Sequence, residues 1–315
     1  MRAAAIDHVG PASELRIHEL PLPKLGAGEV MIAVHTAGVG SWEPEQRSGA
    51  WGVEHAHFPL VLGSDGSGTV VARGAKVRRF RVGDKVYAFN FGSKKGGFDA
   101  EYVAVAAPRV ARIPRRLDLL HAGASPAVAL TALQGIDDAL EIKRNERIVV
   151  VGASGNVGTF AIQFAKGRGA RVLAVASGRD GTALARRLGA DVAVDGKRDD
   201  VAKALAEFAP DGVDAVLGLV GGKVLTTCID ALRSGGRVAH PNGIDPAPRK
   251  RRGIKIVSYD ARMGLEEFAR LNRAMERSRV TVPIAKQFPL EQAAQAHRLV
   301  EKGHLLGRVV LRVAH

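Results

Sequence analysis

One cysteine, Cys228, is the whole thiol inventory of this chain, so it can form neither an internal disulfide nor a multi-cysteine metal site. No run approaches the ~18 consecutive apolar residues of a membrane-crossing helix. The opening MRAAAIDHVG also lacks the apolar stretch that begins a secreted chain. Together these absences set the expectation of a cytoplasmic protein with no membrane partner. There is no sequence repeat and no low-complexity linker. Carboxylates are the minority charge, 32 Asp and Glu against 46 Lys and Arg, for a formal net charge of +14. Such a balance can mark nucleic-acid binding. Here the basic residues are scattered, and the one dense run, residues 249–252, lies between a proline and a glycine. That run reads as a solvated loop, and a basic surface also draws in an anionic dinucleotide.

What the chain does have is enough apolar content for two cores: 315 residues, 46% of them hydrophobic. The sharpest signal runs over residues 147–170, RIVVVGASGNVGTFAIQFAKGRGA. Residues 148–151 are a short β-branched run bounded by turn chemistry, which predicts a buried parallel strand. Gly152, Gly155 and Gly158 make a turn. Behind it, Val157, Phe160, Ala161, Phe164 and Ala165 share one face of a helix. Strand, glycine turn and helix, in that order, are the setting in which a glycine motif binds a dinucleotide. The motif is A-x-G-x-x-G on Ala153, Gly155 and Gly158, with Ser154, Asn156 and Val157 completing the turn. Gly155 lets the backbone approach a pyrophosphate, and Gly158 lets the helix pack close to the strand. The free N–H groups at the helix start face the phosphates.

The first third of the chain shows short alternating runs at 3–6, 15–18, 29–35, 68–71, 85–89 and 101–105. Turn clusters separate them and no helical periodicity of any length intervenes, which predicts a compact antiparallel barrel. Near Leu117 the chain turns alanine-rich and helical, with Ser125-Pro126 as a helix start. From Arg147, strand-like runs at 148–151, 171–176, 191–194, 213–218, 237–240 and 253–258 alternate with helical faces, the pattern of a doubly wound parallel sheet. Helices at 265–277 and 290–302 precede a last strand at 308–313. Cys228 falls on an apolar helical face and reads as core.

Reading outward from the glycine turn, the chain resembles the medium-chain dehydrogenase/reductase superfamily, in its zinc-free quinone oxidoreductase (zeta-crystallin-like) branch. Residues 58–89, FPLVLGSDGSGTVVARGAKVRRFRVGDKVYAF, are similar to the family's barrel signature, with Gly63, Asp65, Gly68, Gly83 and Asp84 in the expected places. GGFDAEYVAV at 96–105, ALTA at 129–132 and the closing FPLEQAAQAHRLVEKGHLLGRVVL are similar to further family blocks. The resemblance implies an α/β protein with a GroES-like β-barrel catalytic domain and a doubly wound Rossmann dinucleotide-binding domain. Residues 1–118 would form the first part of the barrel, 119–262 the nucleotide domain, and 263–315 a segment returning to the catalytic domain. Substrate would sit between the domains, and the resemblance also implies a homodimer.

Zinc alcohol dehydrogenases of this superfamily hold a catalytic metal with cysteine and histidine. The first ligand position reads Ser41 here, and the histidine of the G-H-E block is replaced by Ser64. A catalytic zinc needs three protein ligands in fixed geometry, and the pair His55 and His57 has no third partner in its loop. The expectation is no metal. NAD selectivity shows as a carboxylate at the end of the second strand. That strand, 171–176, runs instead into Ser177-Gly178-Arg179. A hydroxyl and a guanidinium suit a 2′-phosphate, so the expected cofactor is NADPH, with an Arg179–Asp180 ion pair as the alternative. By resemblance, Thr131, Asn242 and Gly243 approach the nicotinamide and its phosphate, with His240 beside them.

The family's substrate loop has the pattern G-V-N-P-x-D-x-x-x-R-x-G-x-Y. This chain keeps the spacing but carries Gly40 for the asparagine and Trp51 for the tyrosine. An indole N–H cannot serve as a proton donor near neutral pH, which counts against an enoyl reductase. Gly40, Ser41, Trp42 and Trp51 are the expected substrate pocket. Trp42 and Trp51 serve as apolar walls or barrel core, and Ser41 is the one candidate polarising donor. Arg47 anchors either the loop or a substrate carbonyl. The leading expectation is an NADPH-dependent, metal-free quinone reductase. An enone or alkenal double-bond reductase is the second reading. A nucleotide-sensing or nucleic-acid-binding protein without turnover is the third.

Overall fold

The computed structural model describes residues 1–50, 52 and 56–313. The chain divides into two compact units, one of Met1–Ala127, Met263–Asn272 and Val282–His315, the other of Val128–Arg262 and Arg273–Thr281.

The first unit is organised around the strand Glu29–Val39. On one side it pairs with Asp65–Arg73, and on the other with Tyr102–Ala106 and Arg308–Arg312, all antiparallel. Asp65–Arg73 passes the sheet on to Lys85–Phe89 and then Val110–Arg112. A separate sheet joins Arg16–Glu19, Arg2–Ile6 and Leu60–Val61. Val30, Ile32, Val34, Phe80, Val86 and Phe98 fill the core. Two features depart from a purely antiparallel, helix-free barrel. Ile284–Pro289 runs parallel to Arg308–Arg312, a pairing that alternation within one strand cannot reveal. A helix also spans Trp42–Ser48 and closes on Gly49, at φ +83°. Its buried residues are Glu43, Pro44 and Arg47, so it carries no apolar stripe for periodicity to detect.

The barrel reaches past residue 118, to Ala127. The Ser67 hydroxyl donates to the Leu119 carbonyl, and the Ala127 N–H donates to the Asp65 carboxylate at 2.9 Å. Gly123 packs so closely on Thr36 and Ser67 that a Cβ would lie 2.7 Å from each.

The second unit is a six-stranded parallel sheet in the order Val192–Asp195, Arg171–Ala176, Arg147–Val151, Val213–Gly218, Leu232–Pro241 and Lys255–Tyr259. In chain order this is 3-2-1-4-5-6, the doubly wound arrangement. Its order reverses beside Arg147–Val151, where such sheets bind ligands. Val149, Val151, Leu173, Val216, Phe208 and Cys228 lie in its core. Burial raises the Cys228 thiol to about 12, so it is an inert core group. Among the described residues no helix is long and apolar enough to cross a membrane.

Candidate active site

In the parallel-sheet unit, the chain leaves the central strand at Val151 and turns sharply on Gly152, at φ +84°. The N–H groups of Gly152 and Ala153 both donate to the Val175 carbonyl at 3.0 Å, which staples the turn to the neighbouring strand. The helix Asn156–Gly167 follows, and its first backbone bond runs from the Thr159 N–H to the Gly155 carbonyl. The amides of Asn156, Val157 and Gly158 therefore point out of the helix start with no helical acceptor. A Cβ on Gly158 would lie 2.3 Å from the Gly152 carbonyl oxygen, while one on Gly155 would meet nothing closer than 3.4 Å. Gly158 is thus required by packing, and Gly155 keeps the approach to the amides open. The Asn156 Oδ1 is buried and has no partner among the described residues. Open amides and the positive end of a helix dipole together fit a dinucleotide pyrophosphate. Ser154 is buried and faces Gly181, whose Cβ would lie 3.0 Å from its hydroxyl, so it braces the turn against the next helix.

Ser177 stands at the start of that next helix, Gly178–Arg187, without a side-chain cap bond. Arg179 is exposed in its first turn and pairs with no carboxylate among the described residues, while Asp180 accepts the Gly181 N–H at 2.8 Å. Tyr259 brings the remaining expected residues together. Its hydroxyl donates to the Thr131 carbonyl at 2.9 Å, and its carbonyl accepts the Asn242 N–H at 3.0 Å. Asn242 Nδ2 donates to Asp260 at 2.7 Å, the ring of His240 donates from Nδ1 to the Pro241 carbonyl at 3.1 Å, and Gly243 follows at φ +84° with open space at its Cβ position. Nothing in the residue pattern singles out Tyr259.

In the barrel unit, the residues of the substrate loop meet a buried set of charges. Arg308 and Asp65 pair at 2.6 Å, both sealed from solvent. They lie against Gly38, where a Cβ would come within 2.6 Å of each. The Trp42 ring lies under the Arg308 guanidinium, 5.1 Å from centroid to Cζ. A Cβ on Gly40 would lie 2.5 Å from the same ring, so the loss of the asparagine at position 40 goes with the indole at the pattern's unspecified position 42. Glu43, fully buried, accepts the N–H groups of Gly40 and Ser64, both at 2.8 Å. Burial first, then the nearby Asp65 charge, push its carboxyl up to about 7 against the pull of Arg308 and the two amides. Asp99 is held well above the usual carboxylate range by burial and by Glu43 and Asp65. Its oxygens have no hydrogen-bond partner among the described residues, and the nearest ring nitrogen, His297 Nε2, is 4.0 Å away. Burial, helped by Arg47, pushes His297 down to about 3.

Arg47 is buried and its donors go to the Gly10 carbonyl, His297 and Glu301. It anchors the loop. Ser41 is exposed and makes no cap bond at the helix start it precedes. Ser64, in the position of the lost histidine, accepts the Trp42 indole N–H on its hydroxyl at 2.9 Å. Hydroxyls, Ser41 and Ser64, thus stand at the two positions where the zinc enzymes carry a thiolate and an imidazole. Among the described residues, no three of His, Cys, Asp and Glu gather to hold a metal ion. His57 is exposed, while Trp51 and His55 lie outside the described residues. A cavity of about 490 Å³ opens beside this cluster, with Leu20, Leu22, Phe58 and Leu62 among its walls and Ser64 and Asn90 also lining it.

Residues 26–115 match the alcohol dehydrogenase GroES-like domain family, and residues 188–311 match the zinc-binding dehydrogenase family. The chain is 30% identical to the NAD(P)H oxidoreductase RTN4IP1, mitochondrial, of Bos taurus, over 99% of this chain and 89% of that protein. It is 28% identical to a quinone oxidoreductase of Mus musculus, over 99% and 97% respectively. Among solved structures, an NAD-dependent alcohol dehydrogenase superposes with a TM-score of 0.92 at 29% identity, with both chains fully covered.

Proposed function

We propose that this chain, which belongs to the quinone oxidoreductase branch of the medium-chain dehydrogenase/reductase superfamily, transfers hydride from NADPH to a quinone or a similarly activated carbonyl acceptor without zinc. Its being an oxidoreductase that uses a nicotinamide cofactor follows from the family. The acceptor and the phosphate preference are the reading advanced here.

The observation that carries the reading is the polarity of the barrel cavity. Where a zinc enzyme has a Lewis acid, this site has Ser41 exposed and Ser64 bonded to an indole. An unactivated ketone needs strong polarisation to accept hydride. A quinone is already electron-poor and needs an apolar slot with modest hydrogen bonding. Glu43 does not serve as the proton donor, because it is fully buried and does not line the cavity. The proton that completes reduction therefore comes from water: quinone, NADPH and one proton yield hydroquinone and NADP⁺. When bound, the cofactor supplies the hydride from its reduced nicotinamide ring. The amides of 156–158 would hold its pyrophosphate, and Arg179, exposed and paired with no carboxylate among the described residues, would meet the 2′-phosphate through its planar fork.

The test compares kcat/KM for NADPH and NADH, with 1,4-benzoquinone and an alkyl enone as acceptors, in the wild type and in Arg179→Ala. The reading expects NADPH preference, loss of that preference in the variant by about 10- to 100-fold, and faster turnover of the quinone. A preference for NADH, or turnover of the enone alone, would sink it.

A further inference from the structure

The hydrogen bonds of Ser64 can be counted almost to completion. Its N–H donates to Glu43 at 2.8 Å, its carbonyl accepts the Asn90 N–H at 2.7 Å, and its hydroxyl oxygen accepts the Trp42 indole N–H at 2.9 Å. Three separate bonds from two segments fix the residue in place. What remains is the hydroxyl hydrogen and one lone pair. An indole N–H can only donate, so it occupies the oxygen as an acceptor and leaves the hydroxyl poised to donate elsewhere. Ser64 lines the cavity of about 490 Å³ described above. Asn90 lines the same cavity, and its carboxamide makes no hydrogen bond among the described residues, with Nδ2 buried and unpartnered. The terminal carboxamide torsion is broad and roughly two-fold, so its NH₂ can be turned toward a ligand oxygen at small cost.

We infer that Ser64 binds the carbonyl oxygen of the acceptor. Trp42 is the positioning residue that keeps its hydroxyl a donor, and Asn90 supplies a second N–H donor. A neutral carbonyl oxygen accepts two hydrogen bonds and offers none, which matches the Ser64 hydroxyl and the Asn90 NH₂, two donors on the cavity wall with no acceptor of their own among the described residues. The apolar walls then take the flat ring. This rests on the acceptor reading above in one respect, that the ligand is a carbonyl compound. It assigns to the position of the lost histidine a donor role in place of a ligand role.

The test titrates 1,4-naphthoquinone into the cofactor-free protein, reading affinity by tryptophan fluorescence and the bound carbonyl by its infrared stretching band. NADPH binding is measured separately as a check on folding. Ser64→Ala is expected to bind the quinone about tenfold more weakly, with its carbonyl band moved back toward that in apolar solvent. Ser64→Thr, which keeps a hydroxyl, restores both. Trp42→Phe raises KM for the quinone more than it lowers kcat. Equal affinity and an identical band in wild type and Ser64→Ala overturn the inference, as does a wild type that does not bind the quinone. Should Ser64→Ala fold poorly, the wild-type band decides: no downshift from apolar solvent overturns the assignment. Ser64-dependent binding without NADPH oxidation would remove the proposed function and leave this inference standing. Quinone turnover indifferent to Ser64 would do the reverse.

Discussion

Replacing Arg308 with methionine removes the cation that faces Asp65 inside the barrel. The two groups are 2.6 Å apart and sealed from solvent. Without Arg308, Asp65 keeps one hydrogen bond, from the Ala127 N–H, and Glu43 and Asp99 remain buried close by. The variant folds only by burying that charge unpaired or by protonating it. Protonating a carboxylate of ordinary pKa costs about 4 kcal/mol at pH 7 and about 1.5 kcal/mol at pH 5. Breaking a buried pair typically costs about 3–5 kcal/mol, so protonation caps the loss. The expected destabilisation is about 3–4 kcal/mol at pH 7, shrinking to about 1–2 kcal/mol at pH 5. Losing the guanidinium over Trp42 adds about 0.5–1 kcal/mol at either pH. Urea unfolding followed by tryptophan fluorescence reads this unit, because both tryptophans lie in Met1–Ala127. A loss below about 1 kcal/mol, or one of equal size at both pH values, would refute the reasoning.

Glu43→Gln is expected to become steadily more favourable relative to wild type as the pH rises from about 4.5 to about 7. The folded barrel holds the Glu43 proton up to about 7, so its stabilising contribution is full below the unfolded value and lost on the way up. The difference between the two proteins should grow by on the order of 2–3 kcal/mol, read from urea midpoints, and a difference that does not change with pH would contradict it. Gly40→Ala drives a Cβ to 2.5 Å from the Trp42 ring. It should cost about 1–3 kcal/mol, part of which Trp42→Leu recovers in a double-mutant cycle. Cys228, with its thiol raised to about 12 by burial, should not react with an aromatic disulfide reagent until the protein unfolds. Rapid labelling of the native protein would place it elsewhere.

The parallel-sheet unit was legible because its information is local. Strand, glycine turn and helix follow one another within residues 147–170, and each glycine has a steric task that the fold makes visible. The strand at 237–240 proved longer, Leu232–Pro241, because its early residues have no apolar alternation to mark them. The barrel's charged interior was not legible. Glu43, Asp65, Asp99, His297 and Arg308 come from five separated stretches, and, apart from Asp65 at its signature position, each alone looks like an ordinary surface residue. Their burial follows from strand pairing: Gly38 sits opposite both Asp65 and Val310, which brings the start of one strand beside the end of the chain. The exchange of asparagine for Gly40 was visible in the sequence, but its cause, the Trp42 ring two residues on, appears only in three dimensions.

The most direct test of the central claim is NADPH oxidation with 1,4-benzoquinone by protein dialysed against a strong chelator, with metal content and hydroquinone measured alongside. The account expects undiminished turnover at negligible zinc, with one hydroquinone formed for each NADPH consumed. Activity that vanishes on chelation and returns with zinc, or tight cofactor binding with no reduction of the quinone, would contradict it.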